Sequence, residues 1–541
     1  MMDYNFRIRG FLRRRLDKIR EEDEKRNEEI DNFRIGKKKK IALLKTFENR
    51  EDIDVFYSLI YPYAYARIRW NPQLRTIQYS VEQPELNEDE IKTYKLVQSA
   101  LIKTIDVNLY TLKTEETKVD YIKKKVNDIL IEFGVILRPG QYIKLLYLIY
   151  VDFVGLGKIE PLMNDSYIED ISCDGTGIEI YIAHKKYGNL MTNVKYDTHD
   201  ELRSFIIKLS ERCSRYISYA EPLLDASLPE GSRVNAMLSK DVATRGPTFT
   251  IRKFREIPFS IIDLIQNQTV SPKIVAFLWF LVEHKQNVLI CGGTSSGKTS
   301  LLNSLVLFIP PENKIVSIED TRELNLLHKN WVPSVSRTGF GDMDAFGRRY
   351  GEVTMFNLLK ESFRQNPDYI IVGEVRGEEA SVLFQGMASG HPSFGTIHGG
   401  SVDDVIQRLH TPPINLSNSI IEILDYLIVI TRATKYGKSA RRIKEINFIE
   451  KIGNKGTINY KTPYSWNPKK DIFVEKKDDV FACLNKISQE YGINEEEAGE
   501  EIRKRERYIS FLLKKKILSF EYVYEKIEEY YNKYENRNVK V

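Results

Sequence analysis

Short, largely apolar runs punctuate the middle of this chain. Runs over 288–291, 314–318, 369–372, 393–397 and 426–431 predict five strands, with helices after the first four. Strand alternating with helix is the pattern of a mainly parallel sheet with helices on both faces. Ahead of it the rhythm differs. Glycines and aspartates between 155 and 177 separate short strands such as 177–182. A helix follows over 200–216, then strand periodicity over 232–238 and 248–254, which together read as an α+β domain.

Further upstream, the aromatic and β-branched stretches 61–68 and 75–81 read as strands, and 91–105 as a helix. One or two more helices cover 117–153, broken near Pro139 and Gly140. The ends are more polar. Residues 1–50 read as a charged helical arm, and 451–541 as a polar hairpin near 452–457 followed by charged helices. Tyr508, Phe511, Leu512, Ile517 and Phe520 form a candidate apolar stripe there. The expected division is an arm to 50, a small α/β and helical region over 51–150, an α+β domain over 151–262, the α/β domain over 263–450, and a C-terminal extension over 451–541.

Length and composition add limits. At 541 residues the chain is too long for a single core. A net charge of +5 makes no whole-protein case for nucleic-acid binding. The charge is uneven: residues 1–50 hold 16 Lys and Arg against 10 Asp and Glu, a surplus of 16 − 10 = 6. Seven basic side chains between Arg7 and Arg20 are interleaved with Ile8, Phe11, Leu12, Leu16 and Ile19, and Lys37 to Lys40 follow. Such an arm is either solvated, docked on an acidic partner, or held at an anionic membrane surface. The four cysteines are far apart and form no zinc or disulfide pattern. The run 274–282 is too short to span a bilayer, and 142–157 carries Lys144 and Asp152. No secretory signal is present, so a cytoplasmic protein is expected.

The strand at 288–291 leads into Gly292-Gly293-Thr294-Ser295-Ser296-Gly297-Lys298-Thr299, and Ser300 opens a helical pattern. Strand, G-x-x-x-x-G-K-[ST], helix is the context of a phosphate-binding loop. Gly292 and Gly297 allow the backbone to approach an anion, and the loop amides and helix N-terminus complement its charge. Lys298 reaches the terminal phosphates and the Thr299 hydroxyl ligates Mg²⁺, making ATP and Mg²⁺ the expected ligands. Two later strands end in acids. Glu319 closes one and can polarise an attacking water. Glu374 follows Gly373 at the end of the other and can hold the metal, whereas Asp368 begins that strand at the wrong edge. His398, in Gly-Thr-Ile-His, can sense the terminal phosphate; His391 is the other histidine of that stretch.

Taken together, the phosphate loop, the acidic box at 318–320, Gly373-Glu374 and the box ending at His398 resemble the secretion ATPase superfamily. That superfamily drives type II and type IV secretion, type IV pili and archaella. The likeness is good over about 150–435, and the absence of a tetracysteine module resembles the archaeal branch. It implies a RecA-like nucleotide domain, an N-terminal α+β domain contacting nucleotide, and a ring of six subunits working on a polytopic membrane platform from the inner face of the membrane. It further implies Glu319 as the water-activating residue, Glu374 as the metal-side acid, and Arg233 and Arg252 as arginines reaching the γ-phosphate. Arg245 is a further candidate without a matching motif. The expected activity is ATP hydrolysis powering a pilus-like filament or secretion. An archaellum motor is the alternative within the class. A nucleic-acid translocase and a non-hydrolysing scaffold are rivals outside it, and no nucleic-acid partner is expected.

Overall fold

The computed structural model describes residues 49–538 except 106–113, 239–240, 242, 256, 340, 342–343, 345–348, 436–437 and 453–457, together with Leu44 and Phe47. The arm over 1–50 therefore lies almost wholly outside the described residues. The chain divides into two compact units, Met1–Phe254 and Arg255–Val541. The expected boundary at 262 falls within a buried helix, Ile261–Gln266, with a Ser260–Asp263 capping box.

The first unit is built on a nine-stranded sheet in the order β1-β2-β3-β6-β5-β4-β9-β8-β7. Its strands are β1 (Asp54–Ile60), β2 (Ala64–Asn71), β3 (Thr76–Glu82), β4 (Ile168–Cys173), β5 (Glu179–His184), β6 (Gly188–Lys195), β7 (Leu223–Ser227), β8 (Arg233–Met237) and β9 (Thr248–Arg252). The expected strand over 61–68 is shifted, since Tyr61 and Pro62 form the cis-proline turn between β1 and β2. β1 itself, with its alternating Val55, Tyr57 and Leu59, is an additional strand. The β1–β2–β3 meander joins the rest through a parallel pairing of β3 with β6. One continuous core runs beneath both parts, from Val55 and Ile68 to Val234 and Ile251. A buried polar knot closes it: the hydroxyls of Tyr57 and Tyr79 donate to Asp165 Oδ2 at 2.6 and 2.8 Å.

The second unit holds β10 (Val288–Gly292), β11 (Ile315–Glu319), β12 (Trp331–Val335), β13 (Tyr369–Val375), β14 (Ser393–His398), β15 (Tyr426–Lys435), β16 (Lys438–Ile452), β17 (Ile458–Asn467) and β18 (Ile472–Glu475). Their order is β12-β11-β13-β14-β10-β15-β16-β17-β18. Every pairing from β12 to β15 is parallel, and those from β15 to β18 are antiparallel. The parallel strands are buried on both faces. Val288 and Ile290 enter one core with Leu301 and Trp279, while Leu289 and Cys291 enter another with Val316 and Leu383. Continuous aliphatic runs, without polar alternation, are what two-sided burial demands.

The C-terminal residues are integral to this unit. Helices Glu495–Lys514 and Phe520–Asn538 pack on the helix Pro272–Glu283, in which every residue from Ile274 to Val282 is buried, and the helix Lys477–Tyr491 packs on β17 beside them. A helix apolar on all sides needs such a cover. Trp279 Nε1 donates to Tyr531 Oη at 2.7 Å, and Tyr531 in turn donates to the Phe308 carbonyl at 2.7 Å. Buried Arg505 pairs with Glu283 and, at 2.8 Å, with Glu501. Of the expected apolar stripe, Leu512 and Phe520 are buried and Phe511 is exposed. Among the described residues no helix is long and apolar enough to cross a membrane.

Candidate functional site

Parallel strands bring their carboxyl ends to one edge, where ligands bind in such sheets. The ends of β11, β13, β14 and β10, adjacent in that order, carry Glu319, Glu374, His398 and Gly292.

The loop after β10 is folded around its own backbone. Gly297 has φ +98° and caps the helix Lys298–Val306, an angle that strains any residue with a Cβ. At Gly292 a Cβ would stand 2.4 Å from the Ile430 carbonyl oxygen and 2.5 Å from Ser296 Oγ, so only glycine fits the first position. Lys298 Nζ donates to the carbonyls of Gly292 and Gly293 at 3.1 and 3.3 Å. Its partial burial lowers its pKa, and the charge of Glu374 opposes that shift. Ser296 is buried with its Oγ lacking a hydrogen-bond partner among the described residues. Gly293, Thr294 and Ser295 are exposed, and Thr299 and Ser300 are half-buried at the first turn of the helix. A close-packed loop with an unpartnered buried hydroxyl, an adjacent ammonium and a helix N-terminus fits a phosphate chain.

Glu319 is 2% exposed at the end of β11. Its Oε1 accepts from the amides of Glu323 and Leu324 at 2.9 and 3.0 Å, while its buried Oε2 has no partner among the described residues. Burial pushes its pKa up to about 7, against the pull of those two amides. A carboxylate poised near neutrality with one free oxygen can accept a proton from water. The neighbouring acid Asp320 instead accepts from Ser336 Oγ at 2.8 Å.

β13 is interrupted where Glu374 stands, because the β13–β14 register shifts between Val372 and Val375. Arg376 Nε donates to Glu374 Oε2 at 2.9 Å. Asp368 lies at the opposite edge, accepting from the Lys314 amide at 2.8 Å. On β14, His398 is the register partner of Gly292 and is half-buried. His391 packs its ring 5.2 Å from that of Phe363, away from the strand ends.

The expected arginines belong to the first unit. Arg233 opens β8 and Arg252 closes β9, and the two are direct cross-strand partners. Arg252 is also the partner of Asp170 on β4, whose pKa burial raises and Arg252 lowers. Like charges placed directly opposite are unfavourable unless an anion is shared. Arg245 serves through its backbone: its carbonyl accepts from the Thr176 amide at 3.4 Å.

Two features were not apparent in the sequence. Gly373 abuts Glu319, and Thr396 Oγ1 donates to the Gly373 carbonyl at 2.6 Å. The available signal for Thr396 was a polar residue inside an otherwise buried strand. Glycine at 373, beside an acid, gave no indication of the close packing.

Residues 153–456 match the family model described as "Type II/IV secretion system protein". An uncharacterized protein of Methanocaldococcus jannaschii is 33% identical over 501 residues, covering 88% of this chain and 89% of its own length. The type IV secretion system protein PtlH of Bordetella pertussis is 29% identical over 277 residues, covering 45% of this chain and 80% of its own. The solved ATPase DotB of Legionella pneumophila is similar at a TM-score of 0.39 and 17% identity, over 70% of this chain and 95% of its own. The chain belongs to the type II/IV secretion system protein family.

Proposed function

We propose that the protein hydrolyses ATP and uses the reaction to drive assembly of a pilus-like surface filament or secretion across a membrane. The observation carrying this reading is the placement of two acids, Glu319 and Glu374, on adjacent strand ends beside the phosphate loop. In this reading the amides from Gly292 to Ser300 and the Lys298 ammonium hold the phosphates. Mg²⁺, held by Thr299 and Glu374, would supply charge neutralisation. Glu319 orients water and accepts its proton through the free oxygen. Arg233 and Arg252 add positive charge to the transition state, and His398 relates the state of the loop to β14. Phosphoryl transfer of this kind depends on positioning and electrostatics, which matches the residue types present.

The family match and the secretion name of a relative support a motor acting on a membrane partner. A closed ring of six copies at the cytoplasmic face, docked on a polytopic platform protein, is the assembly we propose, since cyclic symmetry gives each subunit a neighbour to work against. The basic arm over 1–50 is proposed to hold the ring near anionic lipid. The test of the activity is phosphate release from Mg-ATP by the full chain. Magnesium-dependent turnover abolished in Lys298→Ala supports it, and no turnover in any oligomeric state contradicts it.

A further inference from the structure

The sheet is irregular between the two acids. β13 and β14 pair as Ile370 with Ser393, Ile371 with Phe394 and Val372 with Gly395, and the register then jumps to Val375 with Ile397. Gly373 and Glu374 thus stand opposite the single residue Thr396. Such a bulge locally breaks the hydrogen-bond ladder and re-aims side chains. Here the Gly373 carbonyl receives a side-chain donor, Thr396 Oγ1, at 2.6 Å. Thr396 is only 1% exposed. On its other side it is the register partner of Ile290 in β10, two positions before Gly292.

The consequences of this contact lie on both sides of the bulge. A Cβ on Gly373 would stand 2.9 Å from Glu319 Cγ and 3.3 Å from its Oε1, so the Gly373 backbone forms a wall against the Glu319 side chain. The next residue, Glu374, leaves the bulge toward Arg376, and its charge is felt at Lys298. We propose that Thr396 is a positioning residue for ATP hydrolysis: its hydroxyl pins the Gly373 carbonyl, fixing the bulge that sets Glu319 and Glu374 relative to the phosphate loop. The inference rests on the reading of this site as an ATPase. Valine has nearly the shape of threonine and no donor, so Thr396→Val leaves a buried carbonyl without its partner while preserving packing.

The experiment compares wild type, Thr396→Val, Thr396→Ala and Thr396→Ser as full chains, measuring Mg-ATP turnover, the Kd for a fluorescent ADP analogue and Tm. A displacement on the order of 1 Å at such a site costs up to about 100-fold in rate. The expected result is a kcat lowered about 10- to 100-fold in the valine and alanine variants. Their Kd is expected to stay near that of wild type, with turnover largely restored in the serine variant. If the valine variant does not fold, the alanine variant is read by the same criteria. Wild-type kcat in a folded variant lacking the hydroxyl overturns the inference alone. So does a parallel loss of affinity and kcat in all three variants, which marks a merely structural residue. A wild type without turnover overturns the functional reading, and this inference with it.

Discussion

Gly373 leaves room for Glu319: a Cβ at 373 would lie 2.9 Å from Glu319 Cγ, closer than real side chains approach. The acid that ends β11 is thus shaped by a residue on β13. Gly373→Ala should displace the Glu319 side chain from the Glu323 and Leu324 amides. We expect turnover to fall by about tenfold or more with nucleotide affinity little changed, since a small misplacement of a reacting group is costly in rate. Steady-state kinetics beside nucleotide titration checks this; unchanged kcat would show that the site relaxes around the methyl group.

The pH dependence follows from the burial of Glu319. Its folded pKa of about 7 lies above the ordinary value of 4.5. The folded state therefore binds the proton more tightly than the unfolded chain, and stability falls as pH rises from about 4.5 to about 7. Turnover that needs the carboxylate should rise over the upper part of that range and level off above it. Glu319→Gln removes the buried charge, so it should raise Tm relative to wild type at pH about 8 and not at pH about 4, by an amount corresponding to at most ~3 kcal/mol. Equal Tm differences at both pH values would contradict the assignment of the shift to burial.

Lys298 sits on the Gly292 and Gly293 carbonyls. Lys298→Ala should weaken ATP binding at least about tenfold, the loss of a charge-assisted contact of about 1.5 kcal/mol or more. Isothermal titration with ATP and with ADP separates the phosphates concerned. Unchanged affinity for both nucleotides would place the lysine outside the binding site.

The cross-strand pair Arg233 and Arg252 sets two positive charges against each other. Replacing either by alanine should change Tm without nucleotide little, because relief of the repulsion is offset, at Arg252, by loss of the positive partner of Asp170. The same variants should lose kcat by about 10³-fold, the scale of an arginine acting on a transferring phosphoryl group, with modest loss of affinity. A fall in affinity at constant kcat would make them uniform binding residues.

Buried Arg505 joins the C-terminal helices to Glu283, at the end of the helix Pro272–Glu283. Breaking a fully buried ion pair costs about 3–5 kcal/mol, and less where the surviving acid can reach water. Glu283 is 28% exposed, so Arg505→Ala should destabilise the protein by about 2 kcal/mol. Urea unfolding of the full chain gives the value, and an unchanged midpoint would show that the C-terminal helices do not bear on the stability of the unit.

The parallel half of the second sheet was legible because its strands are buried on both faces and so read as short, largely apolar runs. The phosphate loop was legible because backbone demands at Gly292 and Gly297 restrict residue type. The C-terminal helices were harder to place. Their surfaces are charged, and the all-apolar stretch from Ile274 to Val282 on which they pack is far from them in the sequence. β1 was missed because its partly exposed face carries Asp54 and Phe56, which dilute the apolar signal. Register was not legible at all: that Arg233 meets Arg252, that His398 meets Gly292, and that Thr396 faces a bulge are outcomes of strand pairing. No local pattern at Thr396 or Gly373 encodes them.

Glu319 as the group that takes the proton of water is tested most directly by comparing wild type with Glu319→Gln for Mg-ATP turnover and for nucleotide binding in the same preparation. The variant keeps an oxygen for the Glu323 and Leu324 amides and loses the carboxylate charge and with it the ability to take a proton. Nucleotide Kd should stay within about threefold of wild type and kcat should fall by about 100-fold or more, the scale of a general base. Turnover in Glu319→Gln equal to that of wild type would contradict it.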